Sequence, residues 1–165
     1  MPRSAGPVEP LDARAARVAA LDALARRDYS AEDLRLKLLE KGYDASVVLP
    51  LVDALRGEKL IDDRRYLENF VAYHAARGQG PVRIRVDLRR HGLQGPQVEK
   101  YLDAYPDWIM LLRKARLKKF GAKPAKNYAD RQRQARFLSY RGFTSAQIRM
   151  ALGFDAELDS GTEET

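Results

Sequence analysis

The chain has 165 residues, of which 45% are hydrophobic and 32% are charged, and its formal net charge is +7. It contains no cysteine, which excludes disulfides and thiolate metal sites and fits a reducing compartment. No run of about 18 apolar residues occurs, the first ten residues do not resemble a secretory signal, and two histidines are too few for a histidine-rich metal site. A basic chain of this kind indicates nucleic acid or another polyanion as partner.

Few segments alternate hydrophobic and polar residues with period two, which is the pattern of a half-buried strand, so the sequence favours helices. An opening helix is predicted near 10–27 and carries one apolar stripe, formed by Leu11, Val18, Leu21 and Leu24. Further long helices are predicted near 63–77 and 107–120. The sequence therefore predicts an all-α fold.

Residues suited to helix starts precede several of these segments. Ser30 with Asp33 approximates a capping box, and Thr144 with Gln147 fits one. Other N-cap candidates are the aspartates Asp62, Asp63 and Asp107, and prolines suited to a first helical position are Pro81 and Pro96. Pro50 predicts that the helix around it starts late or kinks.

One pattern recurs at a spacing of 50 residues. A leucine is followed four residues later by glycine, in the pairs Leu38 and Gly42, Leu88 and Gly92, Leu138 and Gly142. The residue before each glycine is basic, being Lys41, His91 or Arg141, which is typical of a helix that ends at a glycine C-cap. The apolar positions in the segment after each glycine also align among the three copies of the pattern. The pattern predicts three tandem three-helix repeats, with one nine-helix globule and accidental similarity as the alternative.

Charge is distributed unevenly over the predicted segments. We expect a flexible N-terminus at 1–9, repeats at 10–63, 64–106 and 107–154, and a disordered acidic segment at 155–165. Residues 1–63 have a net charge of −2 and residues 64–107 of +3. Residues 108–154 have 12 bases and one acid, Asp130, whereas residues 155–165 have five acids and no base. A helical surface usually mixes both signs, so the third repeat is predicted to bind phosphates.

The candidate binding residues are accordingly basic. In the second repeat they are Arg83, Arg85, Arg89 and Arg90, and in the third repeat they are Arg113, Lys114, Arg116, Lys118, Lys119, Arg131, Arg133, Arg136, Arg141 and Arg149. Tyr128 and Tyr140 lie among them and could stack on nucleobases, although ordinary packing is the favoured interpretation of both. Four aromatic residues are assigned to the core, namely Trp108, Phe120, Phe137 and Phe143.

No arrangement of residues predicts catalysis, a cofactor or a metal. The glycine-rich turn Gly78-Gln79-Gly80 lacks the following lysine of a phosphate-binding loop and is interpreted as a break between helices. The adjacent Asp62 and Asp63 are interpreted as helix caps rather than as metal ligands. His74 and His91 have no nucleophile or orienting carboxylate at a readable spacing, so we expect no enzyme.

Five motifs in order resemble those of the RecX regulatory proteins. They are Ala20–Ser30 followed by Leu38–Gly42, Leu60–Asp63 with Tyr66, Gly78–Pro81, Leu88–Gly92, and Phe137–Phe143. The resemblance covers roughly residues 15–153 and leaves out the first residues and the acidic segment.

The resemblance implies a bacterial cytoplasmic regulator of the recombinase RecA. Such a protein is expected to be a monomer of tandem three-helix units in an elongated, curved array. It would bind the RecA–single-stranded-DNA filament along its groove and inhibit strand exchange and ATP hydrolysis. It would thereby modulate recombinational repair and the SOS response. The candidate bases would then contact RecA or DNA, including double-stranded DNA, and no catalysis, cofactor or membrane contact is implied.

Two alternatives to a filament regulator stay open at this point. A general DNA-binding module would affect filaments only by competing for DNA, and its affinity would fall steeply with salt. A helical enzyme is the third class. The acidic segment is either inert or folds back on the basic third repeat and screens nonspecific DNA.

Overall fold

The computed structural model describes residues 7–153, and this part of the chain folds into nine α-helices without a strand. The all-α prediction is therefore confirmed. The expected disorder of residues 155–165 and all but residues 7–9 of the expected flexible N-terminus lie outside the described residues. The helices are α1 (Ala13–Leu24), α2 (Ala31–Glu40), α3 (Ala45–Gly57), α4 (Asp63–Ala76), α5 (Pro81–Arg90), α6 (Pro96–Ala104), α7 (Trp108–Phe120), α8 (Tyr128–Tyr140) and α9 (Ser145–Leu152).

Local signals placed most of the helix ends correctly. Thr144 and Gln147 form the predicted capping box, and the Ser30 hydroxyl accepts a hydrogen bond from the Asp33 amide at 3.1 Å. The glycines of the repeated pattern have positive φ angles of +99°, +76° and +93° at Gly42, Gly92 and Gly142, as predicted for C-caps. Of the late start or kink predicted from Pro50, the late start is wrong, because α3 begins at Ala45 and includes this proline.

The described chain forms two compact units. Unit 1 comprises residues 7–70 and 88–95, and unit 2 comprises residues 71–87 and 96–153, so α4 and α5 contribute to both. The core of unit 1 is formed by α1, α2 and α3, with Leu34, Leu38, Val48 and Leu55 fully buried. In unit 2, α7 packs against α8 and α9, and Leu112 and Leu138 are fully buried.

Helix α1 packs through small side chains and not through its apolar stripe. Ala16 and Ala20 are fully buried, and Ala23 is buried as well, whereas Leu11, Val18 and Leu21 are exposed by 71%, 55% and 38%. Alanine lets neighbouring helices approach closely, so a row of alanines can form the packed face even where larger apolar residues are available. Of the predicted stripe, Leu11 precedes the helix and only Leu24 packs against the core, so the stripe as a whole is not the buried face of this helix.

In unit 1, the start of α2 packs against the turn that follows α5. The Ser30 hydroxyl donates to the His91 carbonyl at 2.7 Å, and Asp33 Oδ2 lies 2.8 Å from His91 Nδ1. A side chain at Gly92 would place its Cβ 2.3 Å from the Cβ of Glu32, so the contact requires glycine. His91, predicted to supply a charge at a helix end, thus also links the turn after α5 to the start of α2.

The same kind of contact recurs in unit 2, between the start of α5 and the turn that joins α8 to α9. The Gly80 amide donates to the Arg141 carbonyl at 2.8 Å, and the Val82 amide donates to the Gly142 carbonyl at 2.9 Å. A Cβ on Gly80 would lie 2.3 Å from the Gly142 carbonyl, and a Cβ on Gly142 would lie 2.4 Å from that of Arg83. Both glycines are required because two backbone segments meet directly here.

The acidic pair at the start of α4 has a structural role. An Asp62 carboxylate oxygen accepts the Arg65 amide at 3.0 Å, while Asp63 accepts the Ala31 amide at 2.9 Å and pairs with Arg56 at 3.1 Å. Over residues 7–153, no group of three or more metal-ligating side chains is placed to hold an ion. Within the same range, no helix is both long and apolar enough to cross a membrane.

Candidate polyanion-binding surface

Helix α7 carries a dense group of basic side chains in unit 2. Its sequence contains five bases and no acid, and it buries Trp108 and Leu112. The Trp108 indole donates to the Leu102 carbonyl at 2.8 Å, which anchors the start of the helix. The bases are thereby left on two flanks of the helix, one with Lys114 and Lys118 and the other with Arg113 and Arg116.

The first flank faces a cleft of about 410 Å³ formed by the end of α4, α7 and α8. We call it the α4–α8 cleft, and its basic lining residues are Arg77, Lys114, Lys118, Lys119 and Arg141. No acidic residue lines it. The ring of Phe137 also lines the cleft, with Lys119 Nζ 6.0 Å and Arg141 Cζ 5.4 Å from its centroid. These distances allow cation–π contacts, which hold the charges over the ring without neutralising them.

Arg77 is the member of this cleft that sequence reasoning missed. Its guanidinium donates to the Tyr73 hydroxyl at 2.6 Å and lies 4.9 Å from the centre of that ring. The signal that could have found it was its position directly before Gly78, which matches the base before Gly42 and Gly142. The pattern of a basic residue before a positive-φ glycine at a helix end therefore occurs a fourth time, at Arg77 and Gly78.

The second flank faces another cleft, of about 540 Å³, which we call the α7–α9 cleft. It is lined by Arg113, Arg116 and Leu117 of α7, Arg131 and Gln134 of α8, and Ala122, Pro124, Ala125 and residues 151–153. It also contains no acidic lining residue. Arg116 is held in place, since it donates to Gln134 Oε1 and to the Lys123 carbonyl, both at 2.8 Å. Gln134, which interrupts the apolar pattern of the repeat, is buried with its amide oxygen bound by Arg116 and its amide nitrogen 3.5 Å from Asp130 Oδ2.

The exposed surface of α8 adds a third group of residues. Arg133, Arg136 and Tyr140 share one face, because residues three, four and seven apart lie close together around a helix. Tyr140 is 78% exposed and Tyr128, in the first turn, is 67% exposed. The favoured interpretation of both tyrosines as packed residues is therefore wrong.

The core assignment of the four other aromatic residues is confirmed in part. It holds for Trp108 and Phe143, which are buried, whereas Phe120 and Phe137 are only half-buried.

Asp130, the only acid of residues 108–154, is engaged at the start of α8. Its carboxylate accepts the Lys126 amide at 3.1 Å and pairs with Arg133 at 2.7 Å. The backbone hydrogen bond from Lys126, followed by the contact with Arg133, lowers the pKa of this carboxyl. The acid therefore interacts with Lys126 and Arg133, whereas the linings of the two clefts contain no acidic residue.

The remaining predicted residues are distributed over both units. Arg85 forms hydrogen bonds with both carboxylate oxygens of Glu99, at 3.0 and 2.8 Å, so its charge is compensated. Arg83 lies against the turn at Gly142, and Arg149 is exposed on α9. Arg89 and Arg90 are exposed in the last turn of α5 and belong to unit 1. The α7 and α8 bases therefore belong to unit 2, whereas the last two bases of α5 belong to unit 1.

Comparison with known proteins identifies the family. Sequence models for the first, second and third three-helix domains of RecX match residues 16–55, 62–102 and 109–152. Regulatory protein RecX of Halorhodospira halophila is 42% identical over 138 residues, which are 83% of this chain and 86% of that protein. The chain belongs to the RecX family. Regulatory protein RecX of Ectopseudomonas mendocina is 38% identical over 86% of this chain and 95% of its own length.

Solved RecX structures have the same fold. A crystal structure of regulatory protein RecX superposes with a TM-score of 0.74 at 26% identity, over 86% of this chain and 73% of that one. RecX from Lactobacillus salivarius superposes with a TM-score of 0.75 at 18% identity, over 86% of this chain and 95% of that one. The three-helix organisation predicted from the 50-residue period is thus the domain organisation of the RecX family.

Proposed function

We propose that this RecX chain binds the RecA–single-stranded-DNA filament and inhibits recombinase, strand-exchange and ATPase activities. Its relatives carry the name regulatory protein, and the filament is a large polyanion. Inhibition of this kind would modulate recombinational DNA repair and the SOS response in the bacterial cytoplasm.

The observation that carries this proposal is the uncompensated charge of the α4–α8 cleft. Five basic residues surround it without one acid, and within residues 7–153 no carboxylate pairs with Lys114, Lys118 or Lys119. Like charges held this close repel one another, so a bound polyanion would relieve the repulsion and release counterions. Asp130, the one acid of residues 108–154, already accepts hydrogen bonds, so the surface supports binding rather than acid–base catalysis.

We propose different roles for the basic residues. Lys114, Lys118, Lys119, Arg136 and Arg141 are the leading candidates for contact with the filament, together with the unpredicted Arg77. Arg85 and Arg116 instead stabilise the fold, because their guanidinium groups bind Glu99 and Gln134. The other predicted bases are secondary candidates, namely Arg83, Arg89, Arg90, Arg113, Arg131, Arg133 and Arg149.

A general DNA-binding module remains the second candidate function. It is supported by the exposure of Tyr128 and Tyr140 beside arginines, because exposed aromatic rings beside bases suit stacking on a single strand. This function would make inhibition of RecA a consequence of competition for DNA. It predicts that inhibition requires enough protein to coat the DNA and disappears as salt is raised.

The test is RecA-catalysed, DNA-dependent ATP hydrolysis titrated with this protein at two salt concentrations. We expect inhibition by amounts well below the amount of RecA, which persists in excess single-stranded DNA. The variant Lys114→Glu/Lys118→Glu/Lys119→Glu should need roughly tenfold more protein for the same inhibition. Its matched control, Arg14→Glu/Arg26→Glu/Lys41→Glu, makes the same charge change at exposed positions of unit 1 and should inhibit normally.

The two candidate functions give different results in this assay. Inhibition that vanishes at higher salt or with excess DNA would favour the DNA-binding module. Equal loss of inhibition in both triple variants would mean that net charge, and not the α4–α8 cleft, governs the effect. Circular dichroism of each variant confirms that its helices are intact.

A further inference from the structure

The α7–α9 cleft lies where the described chain leaves the fold. Leu152 and Gly153, the last two described residues, form part of its wall, together with Arg113, Arg116 and Arg131. Whatever follows Gly153 therefore starts at the rim of a strongly basic cleft. The α4–α8 cleft has no such connection, because no described residue beyond Arg141 lines it.

The lining of the α7–α9 cleft combines positive charge with apolar surface. Arg113 has no carboxylate partner within residues 7–153, and the two described acceptors of Arg116 are an amide and a backbone carbonyl. Leu117 belongs to the same lining and is 51% exposed, and Leu152 is half-buried there. Such a lining suits a ligand that is both acidic and apolar.

The segment that follows Gly153 has this composition. Residues 154–159 read Phe-Asp-Ala-Glu-Leu-Asp, so apolar and acidic residues alternate, and no base occurs up to residue 165. In an extended backbone, alternate side chains point to opposite sides, so one side of such a segment would be apolar and the other acidic. The sequence thus complements the cleft in both charge and hydrophobicity.

We propose that the α7–α9 cleft is a binding site for an acidic peptide and that residues 154–159 of this chain occupy it. Phe154 and Leu158 contact the apolar surface at Leu117, and Asp155 and Glu157 face the arginines. Six extended residues span at most about 20 Å, which is ample for a cleft that begins at Gly153. A tether this short gives an effective concentration in the millimolar range, so a weak intrinsic affinity is enough for occupancy.

An occupied α7–α9 cleft would be closed to other polyanions. Residues 154–159 would then weaken nonspecific binding of nucleic acid and leave the α4–α8 cleft for the filament. This consequence rests on the proposed function, whereas the docking itself does not. Occupation of the cleft by nucleic acid or by the acidic segment of another protein is an alternative that the following experiment distinguishes.

Docking is tested with a nitroxide spin label on the full chain. Because the chain has no cysteine, Ser160→Cys provides a single labelling site close to the segment. We expect paramagnetic broadening of the amide signals of Arg113, Leu117 and Ala122 at about 50 mM sodium chloride, and weaker broadening at about 500 mM. Neutralisation by Asp155→Asn/Glu157→Gln should remove most of it, whereas the matched control Glu163→Gln/Glu164→Gln should retain it.

Three results would overturn the proposal. The first is no broadening of signals from the α7–α9 cleft, and the second is broadening concentrated at the α4–α8 cleft. The third is equal broadening in the two double variants. The apolar part is tested by Leu158→Ser, which keeps every charge and should reduce the broadening. All these substitutions lie beyond α9, so they leave the nine described helices unaltered in sequence.

The consequence is measured by the affinity for an oligothymidylate of about 30 nucleotides without RecA. Asp155→Asn/Glu157→Gln should bind roughly threefold to tenfold more tightly than the control at low salt, with a smaller difference at higher salt. Equal affinity together with confirmed docking would support the acidic-peptide site and refute its role in screening nucleic acid. Normal RecA inhibition by the triple lysine variant would overturn the role of the α4–α8 cleft, and absence of RecA inhibition by the parent chain would overturn the proposed function. Either result would leave the docking result intact.

Discussion

Replacement of Gly80 by alanine tests the contact between α5 and the turn after α8. The new Cβ would lie 2.3 Å from the Gly142 carbonyl and 2.4 Å from the Phe143 amide nitrogen, whereas ordinary contacts begin near 3.4 Å. The two backbone segments must therefore separate by about 1 Å. Such a shift breaks the hydrogen bonds from Gly80 to Arg141 and from Val82 to Gly142, which are now 2.8 and 2.9 Å long.

The expected loss follows from these bonds and from the steric strain. Two neutral hydrogen bonds contribute about 1 kcal/mol each, and overpacking of a rigid site costs about 1 to 3 kcal/mol. Alanine restricts the unfolded chain and returns about 0.4 to 1 kcal/mol. We expect Gly80→Ala to lower the free energy of unfolding by about 2 to 4 kcal/mol, which corresponds to a fall in Tm of about 4 to 16 °C.

Thermal unfolding followed by circular dichroism measures this change, and hydrogen exchange of the Val82 amide reports on the contact directly. The matched control is Gly57→Ala, because Gly57 ends α3 and a Cβ added there would have no other atom within 4 Å. The control should be neutral or stabilised by up to about 1 kcal/mol. If the Tm of Gly80→Ala stays within about 1 °C of the parent chain, the two backbone segments do not require glycine at their point of contact.

Four further predictions follow from the same structure. Ser30→Ala should cost about 2 kcal/mol in urea unfolding, because the hydroxyl both caps α2 and donates to the His91 carbonyl, whereas Ser30→Thr should cost less. Tyr140→Ala should leave stability unchanged but weaken single-stranded DNA binding by about 1 to 3 kcal/mol in a fluorescence anisotropy titration, and unchanged affinity would exclude stacking. Reversal of three arginine charges should abolish inhibition of RecA while the helical circular dichroism stays intact; the variant is Arg133→Glu/Arg136→Glu/Arg141→Glu. The folded-state pKa of Asp130 is lowered, so its stabilising effect is present above its ordinary pKa near 3.8 and is lost as the pH falls below that value; acid titration should show this loss in the parent chain and a smaller one in Asp130→Asn.

The elements predicted most accurately depend on neighbours within one helical turn. The capping box at Thr144 and Gln147, the positive-φ glycines at Gly42 and Gly142, and the helix start at Asp63 are local features of this kind. Local signals succeed because a cap satisfies backbone groups three residues away and a glycine relieves strain at its own position. The sequence alone was also sufficient for the charge bias of the third repeat and for the resemblance to RecX.

Features that depend on packing could not be predicted in the same way. The buried face of α1 is formed by Ala16, Ala20 and Ala23, because the close approach of its neighbours favours small side chains over Val18 and Leu21. The exposed position of Tyr140 and the inward position of Gln134 likewise depend on which side of α8 meets the rest of unit 2.

Sequence alone determined that this chain is a series of capped helices with a strongly basic final repeat. Only the tertiary structure decided which bases lie together, since it brings Arg77 into one cleft with Arg141 and turns Arg116 inward towards Gln134. The physical reason is the distance along the sequence between the residues that interact. Helix formation and net charge are fixed by residues close in sequence, whereas a cleft is formed by side chains from separate helices. Their contacts are set by core packing, which no local pattern specifies.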